Sequence, residues 1–342
     1  MTTDRKTRFA VVGATGTVGR ELVGALFDAG VPPENLTALA SERSEGDELE
    51  YGEETLEVEK ATPENFRGIH VALFAVPPEA TRELALAAQA AGAWVVDVSP
   101  TFRSDPEVPM VLPGLNDDVL KSPFKGRIVT TPSPVTAALL WTLEPLVESF
   151  GVRRVHATAL IAASSEGTRG VAELEKGVAD LLAGRDFEPD RFPHRLAFNV
   201  IPQVGAFSSG WSAEERAWRD EAARVWEGRA DRPLISGTAL QIPLFFGHSI
   251  SLSLDLGRPA EEGEVREALR RSSRLKVLDS PDEKVYPMPM LITADPTVHV
   301  GRIRAVPGVP GGFELFAVVD NAGRGAALTA AELALQLASR GT

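Results

Sequence analysis

Arg8-Phe9-Ala10-Val11-Val12-Gly13-Ala14-Thr15-Gly16-Thr17-Val18-Gly19-Arg20-Glu21-Leu22 is the stretch whose reading decides the fold. Up to Val12 it is a short apolar run, which reads as a strand covered on both faces. From Thr17 to about Ala29 the pattern turns amphipathic, so a helix follows directly. Between the two, glycines let the backbone turn tightly and approach a pyrophosphate. The helix N-terminus then offers that anion free N–H groups and the positive end of its dipole. Gly13, Thr15, Gly16, Thr17, Val18 and Gly19 are therefore candidate nucleotide-binding residues. A glycine pattern alone is weak, and a glycine turn with no ligand is the bland alternative. The strand before it and the helix after it supply the context that favours a nucleotide.

The same alternation continues outward. A turn at Val31-Pro32-Pro33 leads to a strand at Leu36 to Ala40, and Ile69 to Val76 is a further apolar run. Pro78 to Ala91 reads as a helix with Leu84, Ala88 and Ala91 on one face, and Trp94 to Val98 as the next strand. Apolar runs alternating with amphipathic helices predict βαβ units on a parallel sheet, an α/β Rossmann-type domain over residues 1–133. After Pro134 a long helical pattern runs through Leu139, Leu140, Leu143 and Leu146. From Arg153 the texture changes to that of a second, α+β domain over residues 134–319. Val155 to Ile161, Ala239 to Phe246, Ser249 to Leu256 and Phe313 to Val319 read as strands of a mixed sheet, with an irregular or helical stretch at Ser212 to Glu227. Arg324 to Arg340, rich in alanine and leucine, reads as a final helix.

Length and composition agree with two domains, since 342 residues exceed one comfortable core. The net charge of −13, with no long basic run, argues against nucleic acid as a partner, because phosphate neutralisation needs clustered Lys and Arg. No apolar run approaches the roughly 18 residues that a bilayer span requires, so no membrane role is expected. The chain passes from a polar start straight into the first strand without a secretory leader, so the expected address is the cytoplasm. There is no cysteine, which removes disulfides, thiolate metal sites and any cysteine nucleophile together. The five histidines are scattered without ligand spacing, so no metal is expected.

At the end of the second strand the acidic residue that would hold a ribose 2′-hydroxyl is missing. Ala40-Ser41-Glu42-Arg43-Ser44-Glu45-Gly46 stands there instead. Arg43 offers a charged fork, and Ser41 and Ser44 offer hydroxyl donors, a set suited to a 2′-phosphate and hence to NADP. Glu42 would repel that phosphate if it pointed inward, and a solvated charged loop is the alternative.

FAVVGATGTVGREL, ASERSEG and VDVSPTFRSDPEVPMVLPGLN, followed by NVIPQVGAF, LQIPLFFGHS, VGRIR and DNAGRGAAL, together resemble the aspartate-semialdehyde dehydrogenase family over nearly the whole chain. The resemblance implies a nucleotide domain, a central domain that carries catalysis and pairs into homodimers, and a C-terminal segment (residues 320–342) that returns to the first domain. It also implies a cysteine thiolate that attacks the aldehyde, hydride transfer to NADP and cleavage of the thioester by phosphate; in amino-acid biosynthesis the reaction runs the other way, from aspartyl phosphate. The family motif Asn-Pro-Asn-Cys-Ser-Thr matches Thr131-Pro132-Ser133-Pro134-Val135-Thr136, so Pro134 occupies the nucleophile position. Ile161 stands where the family has a substrate-orienting glutamine, and Gln241 where it has a carboxylate-binding arginine. Ala217 stands at the position of a binding lysine, while Glu214 beside it persists. His248 matches the acid–base histidine, whose imidazole is suited to moving protons near neutral pH. Arg103 matches an arginine that holds phosphate or phosphorylated substrate, which leaves a small anionic ligand open. Asn321 and Gly325 match the segment at the nicotinamide end of the cofactor. This pattern of losses is similar to that of the cysteine-free, usg-like homologues.

Three functions remain open on these residues. One is a catalytically silent, dimeric, NADP-binding homologue. The second is an NADP-dependent oxidoreductase acting on a small aldehyde or alcohol without a thiol, with His248 as base or Ser133 as a weak nucleophile. The third is ordinary aspartate-semialdehyde dehydrogenase activity.

Overall fold

In the computed structural model, which describes residues 7–339, β1 (Phe9–Val12) lies inside a seven-stranded sheet. The other strands are β2 (Leu36–Ala40), β3 (Glu48–Tyr51), β4 (Glu54–Lys60), β5 (Val71–Phe74), β6 (Trp94–Asp97) and β7 (Ile128–Thr130), in the order β3-β4-β2-β1-β5-β6-β7. All pairings are parallel except β3 with β4. The order reverses at β1, between β2 and β5, which is the switch point where open α/β sheets take their ligands.

Residues of β1 alternate between two apolar cores, which explains why the whole strand is apolar. Phe9 and Val11 pack with Leu22 and Leu26 of α1 (Thr17–Asp28) and with Leu333 and Leu337 of α7 (Leu328–Ala338). Ala10 and Val12 pack with Ala85 and Ala88 of α2 (Pro78–Ala90) on the other side. The β3–β4 hairpin has no counterpart in the sequence reading. Its Leu49, Tyr51, Leu56 and Val58 point inward and alternate with exposed Glu residues, the period of a half-buried strand.

The chain divides into two compact units, one comprising the segment up to Ser133 together with Ala326 onward, the other Pro134–Gly325. Residues 320–325, placed on sequence in the returning segment, fall in the second unit. The reason is local: Asp320 accepts from Ala294 N, and Asn321 accepts from Gly247 N and Ser164 Oγ, all within that unit. The final helix is preceded by a π-helical turn at Gly323–Ala327 and ends at Ala338; Arg340, included in the expected helix, lies outside the described residues.

The second unit contains α3 (Pro134–Phe150), α4 (Gly167–Leu182), α5 (Ala213–Val225) and α6 (Glu262–Arg270). Its sheet has the order β11-β12-β13-β10-β8-β9, built from β8 (Val152–Ile161), β9 (Leu234–Gln241), β10 (His248–Leu256), β11 (Leu275–Val277), β12 (Val298–Ala305) and β13 (Gly312–Val319). The sheet is mixed: β8–β9 and β11–β12 are parallel, and the other pairs antiparallel. The strand expected at Ala239 to Phe246 starts earlier and stops at Gln241. Pro243 has no N–H for the ladder, Leu244 to Phe246 leave the sheet, and Gly247 at φ +82° turns the chain into β10. Neither α4 nor α6 was apparent in the sequence reading.

Candidate functional site

The loop after β1 has the shape its glycines suggest. Gly13 takes φ +91°, and a Cβ there would lie 2.5 Å from the Ala75 carbonyl oxygen at the end of β5. A Cβ on Gly19 would lie 1.9 Å from the Gly13 oxygen, so α1 can sit this close to the loop only with glycine there. At Gly16 a Cβ would meet only the Gly13 oxygen, at 3.3 Å, leaving the N-cap of α1 open. No side chain caps α1 and no acidic residue lies in its first turn, which begins at Thr17 and Val18. A pyrophosphate fits these features.

Ser41 precedes a short 3-10 turn, Glu42–Ser44, that carries Arg43. Thr15 Oγ1 donates to Ser44 Oγ at 3.3 Å, so the glycine loop and the serine loop touch. Arg43 is exposed, and Glu42 pairs with Lys60 at 3.1 Å. That surface pairing engages one of the two carboxylates of this loop; Glu45, beside Ser44, is exposed.

Arg103 lies in the same unit. Its Nε donates to the Thr131 carbonyl at 3.1 Å and its Nη2 to the Val98 carbonyl at 2.6 Å. Asp97, at the end of β6, is absent from the candidates that the motifs supply, although a charged residue in an apolar strand is itself a signal. It is fully buried, accepts from Ser99 N at 2.9 Å through Oδ1, and has no partner at Oδ2. Burial pushes its carboxyl up to about 6, against the pull of its Ser99 hydrogen bonds and of Arg103.

In the second unit, His248, Gln241, Asn321 and Ser164 form one buried polar cluster around the ends of β8 and β9 and the start of β10. Ala162 N donates to His248 Nδ1 at 3.2 Å. Gln241 Nε2 donates to the carbonyls of Ile161 and Ala162 at 2.9 and 3.0 Å, and its amide lies 3.4 Å or more from Ser165 Oγ. Ser164 Oγ and Gly247 N both donate to Asn321 Oδ1 at 3.1 Å. Ile161, the last residue of β8, is buried. His248 departs from the expectation of an imidazole titrating near neutrality: desolvation pushes its pKa down to about 3 and keeps the ring neutral.

Pro134 is the first residue of α3, a position where proline's missing N–H costs no helical hydrogen bond. A Cβ on Gly325 would lie 2.6 Å from Pro134 Cβ, so these two residues pack in direct contact. Glu214, in the first turn of α5, accepts from Trp218 Nε1 at 3.0 Å, and Ala217 presents no polar group beside it. Ser133 is buried. Among the described residues no group of His, Cys, Asp or Glu is arranged to hold a metal, and no helix is long and apolar enough to cross a membrane.

Comparison with known proteins follows the same division of the chain. Residues 8–122 match the family described as semialdehyde dehydrogenase, NAD binding domain, and residues 143–323 match semialdehyde dehydrogenase, dimerisation domain. The aspartate-semialdehyde dehydrogenase of Aquifex aeolicus is 32% identical over 337 residues, with 98% of each chain covered. The protein of the same name from Bacillus subtilis is 31% identical, covering 96% of each chain. Among solved structures, a Vibrio cholerae aspartate semialdehyde dehydrogenase II complexed with ASA superposes at TM-score 0.91 and 28% identity, covering 98% of this chain and 99% of that one. A probable aspartate-semialdehyde dehydrogenase from Pseudomonas aeruginosa superposes at 0.89 with 34% identity, covering 98% of each.

Proposed function

The chain belongs to the aspartate-semialdehyde dehydrogenase family, with a Rossmann-like NAD(P)-binding domain and a dimerisation domain, and on that premise we propose that it is a thiol-free, usg-like member that binds NADP as a homodimer without oxidising aspartate semialdehyde. The single observation that carries this reading is the absence of cysteine from all 342 residues. A covalent adduct is what makes hydride transfer from an aldehyde feasible in this chemistry, and a proline has nothing with which to form one. Serine is a poor substitute, because its hydroxyl needs strong activation. Ser133 is buried, and the Ser164 hydroxyl is committed to Asn321.

Two further features support it. Gln241 stands where the family binds the substrate carboxylate, yet its amide nitrogen is spent on two backbone carbonyls. Ile161 offers no amide to orient a substrate. For the cofactor, the open N-terminus of α1 supports a pyrophosphate, and Arg43 with Ser41 and Ser44 supports NADP over NAD. For assembly, Phe198, Phe207, Trp211, Phe245 and Phe246 are each at least 41% exposed in the second unit, a quantity of apolar surface that a partner copy would cover.

The test is a nucleotide titration followed by an assay with aspartate semialdehyde, phosphate and NADP on the purified chain. NADPH binding without turnover is the expected result. Turnover at an enzyme-like rate would overturn the thiol-free reading and return the ordinary enzyme, or one with altered chemistry, to first place.

A further inference from the structure

At the end of β9 the second unit holds a cavity of about 320 Å³, whose walls include Glu166, Asp190, Arg191, Phe192, Gln203 and Gln241. That volume suits a small metabolite. The walls are fixed by the chain's own bonds. Ile201 and Gln241 exchange both backbone hydrogen bonds, at 2.8 and 3.0 Å, which brings Gln203 beside the end of β9. Glu173 of α4 accepts from three consecutive amides, Asp190 N at 3.0 Å, Arg191 N at 2.6 Å and Phe192 N at 3.3 Å. Phe192 belongs to one apolar cluster with Leu174, Leu196 and Ile201. A preformed cavity spares its ligand the cost of ordering these segments.

Backbone carbonyls decide what the walls offer. A carbonyl oxygen can only accept, so the Gln241 atom 2.9 and 3.0 Å from the carbonyls of Ile161 and Ala162 is Nε2, and both its hydrogens are used. The polar atom left over is Oε1, an acceptor, whose one protein donor is the Ser165 hydroxyl at 3.5 Å. Gln203 Nε2 likewise donates to the Gly205 carbonyl at 3.3 Å, and among the described residues its Oε1 receives no hydrogen bond. The charged groups lean the same way. Arg191 and Glu166 pair at 3.7 Å, while Asp190 adds a carboxylate with no ion pair among the described residues. Two carboxylates therefore stand against one guanidinium.

We propose that this cavity binds the primary ammonium group of a small organic cation, with the Gln241 and Gln203 carbonyl oxygens and the Glu166 and Asp190 carboxylates as its acceptors, and that it rejects carboxylates. An ammonium group brings three donors and no acceptor, the complement of walls in which acceptors are in excess. A carboxylate brings only acceptors. It would meet surplus negative charge and a single guanidinium that is already paired. This inference deepens the proposed function and rests on its reading that Gln241 no longer serves a substrate carboxylate.

The test titrates the full chain, without nucleotide, with butylamine, butyramide and butyrate, followed by saturation-transfer NMR. The three probes share a chain length and differ in the head group. Butylamine should bind saturably and about tenfold or more tighter than butyrate, with butyramide between them. Glu166→Gln, at a half-buried position, should weaken butylamine about fivefold and leave butyramide unchanged, a charge-specific effect that a structural defect would not produce. Gln241→Arg, with folding checked by circular dichroism, should reverse the order so that butyrate binds tighter than butylamine. The proposal is overturned if butylamine shows no saturable binding, if butyramide or butyrate binds the parent as tightly, or if Glu166→Gln leaves butylamine affinity unchanged. The probes carry no aldehyde, so this series decides the proposal by itself, whereas semialdehyde turnover in the separate assay sinks the thiol-free reading.

Discussion

On the proposed thiol-free reading, a thiol placed at residue 134 would join groups that are already committed. Gln241 is bound to two carbonyls, and Ile161 is a buried hydrocarbon. Pro134→Cys alone should therefore show no aspartate-semialdehyde oxidation above background in an NADPH absorbance assay, because even a reactive thiol loses most of its effect on a misplaced substrate. Clear turnover by that single variant would refute the assignment of Ile161 and Gln241 as lost functions. Two buried titratable groups carry a second prediction, with opposite signs. Burial raises Asp97 from its ordinary 3.8 to about 6, so between those values the folded chain keeps a proton that the unfolded chain has lost. Its stabilising contribution is complete below about pH 4 and disappears as pH rises through about 6, a swing on the order of 3 kcal/mol. His248 runs the other way. The unfolded ring gains a proton as pH falls below its ordinary 6.5 while the folded ring, at about 3, does not, so stability is lost on acidification through that window. Asp97→Asn should consequently lose urea resistance more steeply than the parent between about pH 6.5 and 4.5, and His248→Gln less steeply. Identical slopes in all three proteins would contradict both assignments.

At the scale of elements, α1 and its preceding loop are one device. Gly19→Ala would drive a Cβ to 1.9 Å from the Gly13 oxygen and force helix and loop apart. The expected cost is about 1–3 kcal/mol in urea unfolding, together with loss of measurable NADPH binding by calorimetry. Undiminished binding would show that this loop does not hold the pyrophosphate. In the adjoining 3-10 turn, Arg43→Ala should remove most of any preference for NADPH over NADH, through loss of a charge-assisted contact worth about 1.5–3 kcal/mol. Equal affinities in the parent would end the 2′-phosphate assignment. β1, α1, β2 and β6 are legible in the sequence, because each combines a continuous apolar or amphipathic run with glycine or proline punctuation. The β3–β4 hairpin is not, since its four inward residues are diluted by glutamates, and β9 is shorter at its end than its apolar pattern, because the run Ile242 to Phe246 continues past the end of the ladder. Apolar character alone does not distinguish a strand from a surface segment with exposed aromatics.

For the whole molecule, light scattering at micromolar concentration should report a dimer of the 36.6 kDa chain. A monomer mass would leave the exposed aromatics of the second unit without their proposed cover. The sequence by itself determined that this is a two-domain α/β protein with a dinucleotide loop and no thiol chemistry. Those properties are local: a glycine spacing, a hydrophobic period and the presence or absence of a residue type are complete in the linear chain. What only the tertiary structure decided is where side chains spend their hydrogen bonds. Glu42 pairs with Lys60, Gln241 with two carbonyls at the end of β8, and Asn321 with Ser164 and Gly247, partners between 18 and 157 residues away or on another strand. The protonation of His248 follows from the same cause, since burial and one amide from Ala162, 86 positions away, keep its ring neutral and select its tautomer. Desolvation and hydrogen-bond geometry exist only once distant segments meet, so no spacing within the chain encodes them.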